Sequence, residues 1–157
     1  MTIFGIGLLL VASGGFSLGV ILMLEAVGGI HLTWTTTHDV VLIPLGALLA
    51  VAGFYLWLSG VQVIRKAFYE KKLLTEGVYA YTRNPIYAAF IIFLIPSLSL
   101  LMNDVFIMLT SAILYAVFRI NIGQEEAYLL QQFGDDYRRY AETVPRLIPR
   151  FGRPKHV

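Results

Sequence analysis

Two stretches of the chain carry side chains suited to chemistry. GVYAYTRNPIYAAF (77–90) gathers Tyr79, Tyr81, Arg83, Asn84 and Tyr87 around an Asn-Pro pair. GQEEAYLLQQFGDDYRRY (123–140) places two adjacent carboxylates, Glu125 and Glu126, ahead of further aromatic and charged residues. Each has a structural reading. In the first, Asn84 suits a helix N-cap and Pro85 the first helical position, Arg83 snorkels to phosphates and the tyrosines form an interfacial belt. In the second, the glutamates stand early in a solvated helix, where the dipole favours acids. Each also has a functional reading, because carboxylates at a membrane boundary that face the bundle make half of a binding site. Soluble-type catalytic schemes find no support: there is no Cys, no Ser-His pair and no G-x-G-x-x-G following a strand. His31 and His38 lie seven apart in a β-branched loop, a poor metal site.

Lipid is the solvent that must position these groups. The chain is 57% hydrophobic and 14% charged, against roughly half and a quarter for a soluble domain. Crossing the hydrocarbon takes about 20 helical residues, and four segments approach this: 3–27, 40–63, 86–102 and 105–120. The first lacks a basic leader region and is read as a retained membrane helix. Gly14-Gly15 within it suits close helix contact. Asp39 suits the N-cap of the second. All 12 Lys and Arg follow residue 64, which places the 65–85 loop, the C-terminal region and the N-terminus in the cytoplasm.

Beyond the fourth segment, Ala127, Leu130, Phe133, Tyr137, Tyr140 and Val144 recur at spacings of three or four. They predict an amphipathic helix over 124–144, which Gly134 interrupts. The expected fold is all-α and integral to the membrane: four transmembrane helices plus a C-terminal cytoplasmic amphipathic helix. It forms one domain of two N-terminal helices (1–64), a catalytic region (65–150) and a tail (151–157).

Taken together, L-L-T-E-G-V-Y-A-Y-T-R-N-P-I-Y, a short hairpin, and E-E-A-Y-L-L-Q-Q-F-G-D-D-Y-R-R-Y-A-E-T-V-P-R-L-I-P resemble the isoprenylcysteine carboxyl methyltransferase family and its phospholipid-methyltransferase relatives. The resemblance covers about residues 65–150. It implies an S-adenosylmethionine-dependent enzyme with the cofactor held by Lys71, Lys72, Leu73, Leu74, Tyr79, Arg83, Asn84, Pro85, Ile86 and Tyr87, facing Glu125 and Glu126. Two positions depart from the family pattern. Asn84 replaces the family's common His, and Asn121 stands where prenylcysteine enzymes place an Arg, with Arg119 two residues earlier. Both weigh against copying the prenylcysteine substrate.

Methyl transfer fits these residue types. It requires alignment and exclusion of water, together worth on the order of 7–11 kcal/mol, and no covalent nucleophile. Tyr79 or Tyr87 could hold a sulfonium by cation–π contact, and Arg83 a methionyl carboxylate. An amine or thiol acceptor needs a base, a role for Glu125 or Glu126, whereas a carboxylate acceptor needs none. Adjacent helical glutamates diverge by about 100°, so one faces the cofactor. The acceptor expected is a small lipophilic molecule (a prenylcysteine-like carboxylate, lipid amine or thiol) arriving from lipid, with Arg119 and Asn121 as substrate contacts. Nucleic acid is not an expected partner and no metal is called for. The alternative is a non-catalytic assembly or carrier protein with the same fold.

Overall fold

The computed structural model describes residues 6–29, 31–34, 38–70 and 72–150, with 38–39 and 65–70 as backbone. These residues form helices and turns, without a strand among them. α1 (Gly7–Gly28) ends at Gly29, whose φ of 62° lets its amide return to the Glu25 carbonyl. α2 (His38–Glu70) is followed by a 3₁₀ turn at Gly77–Ala80. α3 (Pro85–Leu101) is short, and α4 (Ile107–Thr143) closes the bundle.

Three of these helices are long and apolar enough to cross a membrane among the described residues: Gly7–Gly28, Val40–Ile64 and Ile107–Thr143. Their outward faces carry Phe16, Val51 and Ile120, each more than two-thirds exposed. An apolar exterior of this extent is stable in lipid and costly in water.

Glycine brings α2 onto α3. Gly46, Gly53 and Gly60 recur every seven residues and so share one helix face. A Cβ at these positions would lie 2.9 Å from Leu101, 2.8 Å from Leu94 and 2.9 Å from Ile86 respectively. α1 lies along α4, where Gly14 approaches Leu114 to 3.1 Å for a notional Cβ, while Gly15 meets nothing. Only one of that glycine pair therefore serves the contact expected of it.

α3 is not uniform. Pro96 removes the amide that would bond back four residues, and its ring crowds the carbonyl there. The preceding turn, Ala89–Leu94, widens to π geometry, with the Ile95 amide bonding back to Phe90. The Ile91 carbonyl receives the Ser111 hydroxyl from α4, satisfying a group that the irregular turn disturbs.

Several boundaries differ from the sequence reading. α2 runs to Glu70 rather than 63, so Arg65 and Lys66 belong to its last turns. It also begins before Asp39, which stands inside the helix rather than capping it. The fourth segment and the amphipathic segment are one helix, because 121–123 contain no breaker stronger than Gly123. The interruption falls at Gly134, whose φ of 53° and ψ of −127° turn the chain. Beyond it, Tyr137, Tyr140 and Val144 form a second buried cluster with Leu73, Leu129 and Phe133. Leu129 takes the place expected for Leu130, and Ala127 is exposed, because the unbroken helix carries the Leu114–Phe118–Ile122 face on to Leu129 and Phe133.

Candidate active site

The residues 81–84 and 145–150 run side by side. The Arg83 amide donates to the Pro145 carbonyl (2.9 Å) and the Arg150 amide to the Tyr81 carbonyl (3.0 Å). Thr82, fully buried, donates its hydroxyl to the Leu147 carbonyl at 2.9 Å. Asn84 stands at the N-cap position of α3, but its side chain does not cap. It reaches across and donates Nδ2 to the Arg146 carbonyl at 2.7 Å. Pro85 takes the first helical position as expected. The Tyr140 hydroxyl donates to the Tyr79 carbonyl at 2.7 Å, fastening the 3₁₀ turn to the end of α4.

On this frame the two glutamates diverge. Glu125 turns into the bundle, where its Oε2 accepts the Tyr87 hydroxyl at 3.1 Å. The Ile6 backbone at the start of α1 also reaches both Glu125 and Tyr87. Tyr87 sets its ring edge-on to Phe118, with centroids 5.7 Å apart. Tyr79 is 8% exposed and close enough to feel the Glu125 charge. Burial first, and that charge second, push its phenol pKa upward, so Tyr79 stays protonated at neutral pH.

Glu126 faces the other way, into a cluster of cations. Arg83 Nη1 lies 2.8 Å from its Oε1 and also donates to the Tyr137 hydroxyl at 3.3 Å. Arg146 donates Nε to Oε1 at 2.9 Å and Nη2 to Oε2. Arg83 Nε is buried with no partner, a donor that a bound acid would satisfy.

The remaining expected residues are more scattered. Pro85 and Ile86 pack on Gly60 of α2, a helix contact. Leu74 packs on the main core and Leu73 on the second cluster. Lys72 is exposed and Lys71 lies outside the described residues, as do the tail at 151–157 and the His38 side chain. Arg119 lines a cavity of about 240 Å³ with Tyr115, Phe118, Arg146, Leu147 and Ile148. Asn121 is not with it: its Nδ2 returns to the Val117 carbonyl of its own helix at 2.8 Å.

The sequence reading missed Arg146, Tyr137 and the start of α1. Arg146 stands in the Pro-rich stretch VPRLIP, which has no helical periodicity to place it, and Tyr137 enters the sequence pattern only as part of an apolar face. Nothing in α1 signals the Ile6 contact, because a backbone amide leaves no mark on residue type.

Residues 56–131 match the model of the isoprenylcysteine carboxyl methyltransferase (ICMT) family. Among similar curated proteins is a protein-S-isoprenylcysteine O-methyltransferase from Schizosaccharomyces pombe, 44% identical over 77 residues, which cover 49% of this chain and 33% of the relative. Protein-S-isoprenylcysteine O-methyltransferase B from Arabidopsis thaliana is 37% identical over 78 residues, 50% of this chain and 40% of the relative. The Homo sapiens protein-S-isoprenylcysteine O-methyltransferase is 26% identical over 123 residues, 76% and 43% respectively. The matches thus span from a third to less than half of these three relatives. No solved structure matches the chain significantly.

Proposed function

Because residues 56–131 match the model of the isoprenylcysteine carboxyl methyltransferase family, we propose that the chain belongs to it and is an integral membrane S-adenosylmethionine-dependent methyltransferase acting on a lipophilic acceptor. The names of its relatives favour a prenylcysteine-type carboxylate over a lipid amine or thiol, against the weight that Asn84 and Asn121 carried. Asn121, bonded to its own helix, is removed from the acceptor contacts. Arg119 and Arg146 instead bring two cations to a cavity with Tyr115, Phe118 and Ile148, an arrangement that suits a carboxylate on a lipophilic body.

The observation that carries the reading is the Tyr87–Glu125 pair, joining the two family blocks across α3 and α4 beside the buried Tyr79. The residues present fit the cofactor. Arg83, with its unpartnered Nε, would take the methionyl carboxylate, and Glu125 an ammonium or ribose hydroxyl. Tyr79 and Tyr87 would face the sulfonium, and Lys72 to Leu74 would border the site. When bound, S-adenosylmethionine supplies an electrophilic methyl group. A carboxylate acceptor would carry no proton to be removed, so no residue of the chain would need to accept one. Glu125 and Glu126 then serve binding and positioning rather than general base catalysis: Glu126 holds Arg83 and Arg146 in place, and Tyr87 holds Glu125. The buried aromatic walls keep water out of the reaction.

The topology proposed with this has four crossings, α3 being the short one. Both termini and the site are cytoplasmic, following the placement of Lys and Arg, and α4 beyond about residue 123 continues as an amphipathic segment at the cytoplasmic surface. Residues 1–64, 65–150 and 151–157 act as one domain.

Calorimetric binding of S-adenosylhomocysteine to detergent-purified protein tests the reading, followed by methyl transfer to an isoprenylcysteine with a free carboxylate. Saturable binding that Glu125→Gln or Tyr87→Phe weakens tenfold or more is expected, with thermal unfolding showing both variants folded. Absence of binding to folded wild-type protein refutes it and favours a non-catalytic assembly or carrier role.

A further inference from the structure

A second polar cavity lies at the other end of the bundle. Gly7, near the start of α1, is where Tyr87 approaches. Glu25 stands 18 residues further on, about 27 Å along the helix at 1.5 Å per residue. It lines a cavity of about 350 Å³ between the end of α1, the 31–33 segment and the 102–104 turn. Glu25 is 7% exposed, and its Oε1 is buried with no hydrogen-bond partner. Its carboxyl lies against that of Asp104, with His31 near enough to act on it. Asp104 is fixed in place, its Oδ1 accepting the Phe106 amide at 2.8 Å and its carbonyl the Ser99 hydroxyl at 2.6 Å.

Two carboxylates are thus held together in a cavity whose one basic lining residue is His31. No Lys or Arg precedes residue 65, and those beyond it belong by topology to the opposite end or to α4's far half. Like charges at such a distance cannot both persist without a proton or a cation between them. No group of three His, Cys, Asp or Glu suited to a metal occurs among the described residues. A ligand that brings positive charge and hydrogen-bond donors would serve both carboxylates and the unpartnered Oε1 without coordination. Leu22, Ala26, Leu32 and Met102 supply apolar walls that would receive carbon attached to the cation.

We propose that this cavity binds a primary ammonium group, carried by a small amine or by a lipid headgroup, with Glu25 and Asp104 accepting its N–H bonds. The site is separate from the methyl-transfer cluster and independent of that reading.

Trp34 offers a reporter at the rim: its amide donates to Asn103 Oδ1 and its indole to Ser99 Oγ, both at 3.0 Å. The chain has two Trp, so Trp57→Phe leaves Trp34 as the only fluorophore of its kind. The full chain is titrated with ethanolamine in detergent while Trp34 emission is followed. In parallel it is purified from nanodiscs of phosphatidylethanolamine or phosphatidylcholine and retained lipid is counted by native mass spectrometry. A saturable ethanolamine response assigns a free amine; selective retention of phosphatidylethanolamine without that response assigns a headgroup. In either arm Glu25→Gln and Asp104→Asn each weaken binding at least tenfold, leaving S-adenosylhomocysteine binding unchanged. Asp104→Asn keeps the oxygen that receives the Phe106 amide, so it carries the test if Glu25→Gln fails to fold. No ethanolamine response together with equal retention of the two lipids overturns the proposal. So does amine affinity within twofold of wild type in a folded variant.

Discussion

Glu126→Gln is the perturbation that most directly tests how the C-terminal segment is held. Glutamine keeps the shape and one acceptor oxygen, so packing survives and what is lost is the charge facing two guanidiniums. The two arms are not equivalent. Arg83 and Glu126 are 12% and 15% exposed in their side chains, whereas Arg146 is 38% exposed. Leaving the sheltered Arg83 without its counter-charge costs about 2–3 kcal/mol, somewhat under the range for a fully buried pair. The Arg146 arm is bidentate but open to solvent, and screening reduces it to about 0.5–1 kcal/mol. The expected loss is therefore about 3 kcal/mol, read from denaturant unfolding in detergent. A double-mutant cycle separates the arms: Glu126→Gln with Arg83→Met should show a coupling of about 2 kcal/mol, and with Arg146→Met about 1 kcal/mol or less. A total loss under about 1 kcal/mol, or a larger coupling to Arg146 than to Arg83, would show that burial does not rank these contacts as argued.

Other substitutions address packing, backbone and pH. Gly53→Ala places a Cβ 2.8 Å from Leu94 and 2.9 Å from Phe93 Cβ, so thermal unfolding should show a loss of about 1–3 kcal/mol. Gly15→Ala, with open space around it, should be neutral or stabilising by up to about 1 kcal/mol. Gly134→Ala forces a side chain onto a φ of 53°, costing about 1–3 kcal/mol and loosening the Tyr137–Tyr140–Val144 cluster, which limited proteolysis near residue 134 should reveal. The Tyr79 phenol has a raised pKa in the folded protein. Its contribution is therefore fully present below the unfolded value of about 10 and lost as pH rises beyond it. Wild-type stability should fall above about pH 10 more steeply than that of Tyr79→Phe, and equal slopes would contradict the assignment.

Helix identity was legible because lipid imposes long apolar runs, and the Pro85 start and Gly134 interruption were legible because both residues restrict backbone geometry. Boundaries set by tertiary contact were not. α2 runs on past Val63 although its composition turns polar, and nothing in 121–123 reveals that α4 continues unbroken. The Gly46-Gly53-Gly60 face was present as a heptad, yet Gly14-Gly15 drew attention by adjacency, which puts one of the two glycines on the wrong side. At the site, residue types pointed to Arg83, Tyr87 and the glutamate pair. Which glutamate enters the bundle depends on helix rotation, and the partners of Glu126 depend on where a chain segment some 20 residues later returns.

That return is what brings the two sequence blocks together. Continued straight beyond Gly134, a helix would carry residue 146 about 18 Å further along the axis, away from Glu126. The left-handed turn at Gly134 folds the chain back instead, burying Tyr137 and Tyr140 and laying 145–150 against 81–84. Arg83 is then bound twice, its amide to Pro145 and its guanidinium to Glu126. Asn84 fastens to the Arg146 carbonyl while the Arg146 side chain fastens to Glu126. Backbone contacts and ion pairs thus both act on Arg83 and Arg146, so that loosening the C-terminal segment must displace Arg83 as well. The stability of that segment and the placement of Arg83 against Glu126 are consequently one property, and substitutions that weaken either should weaken both.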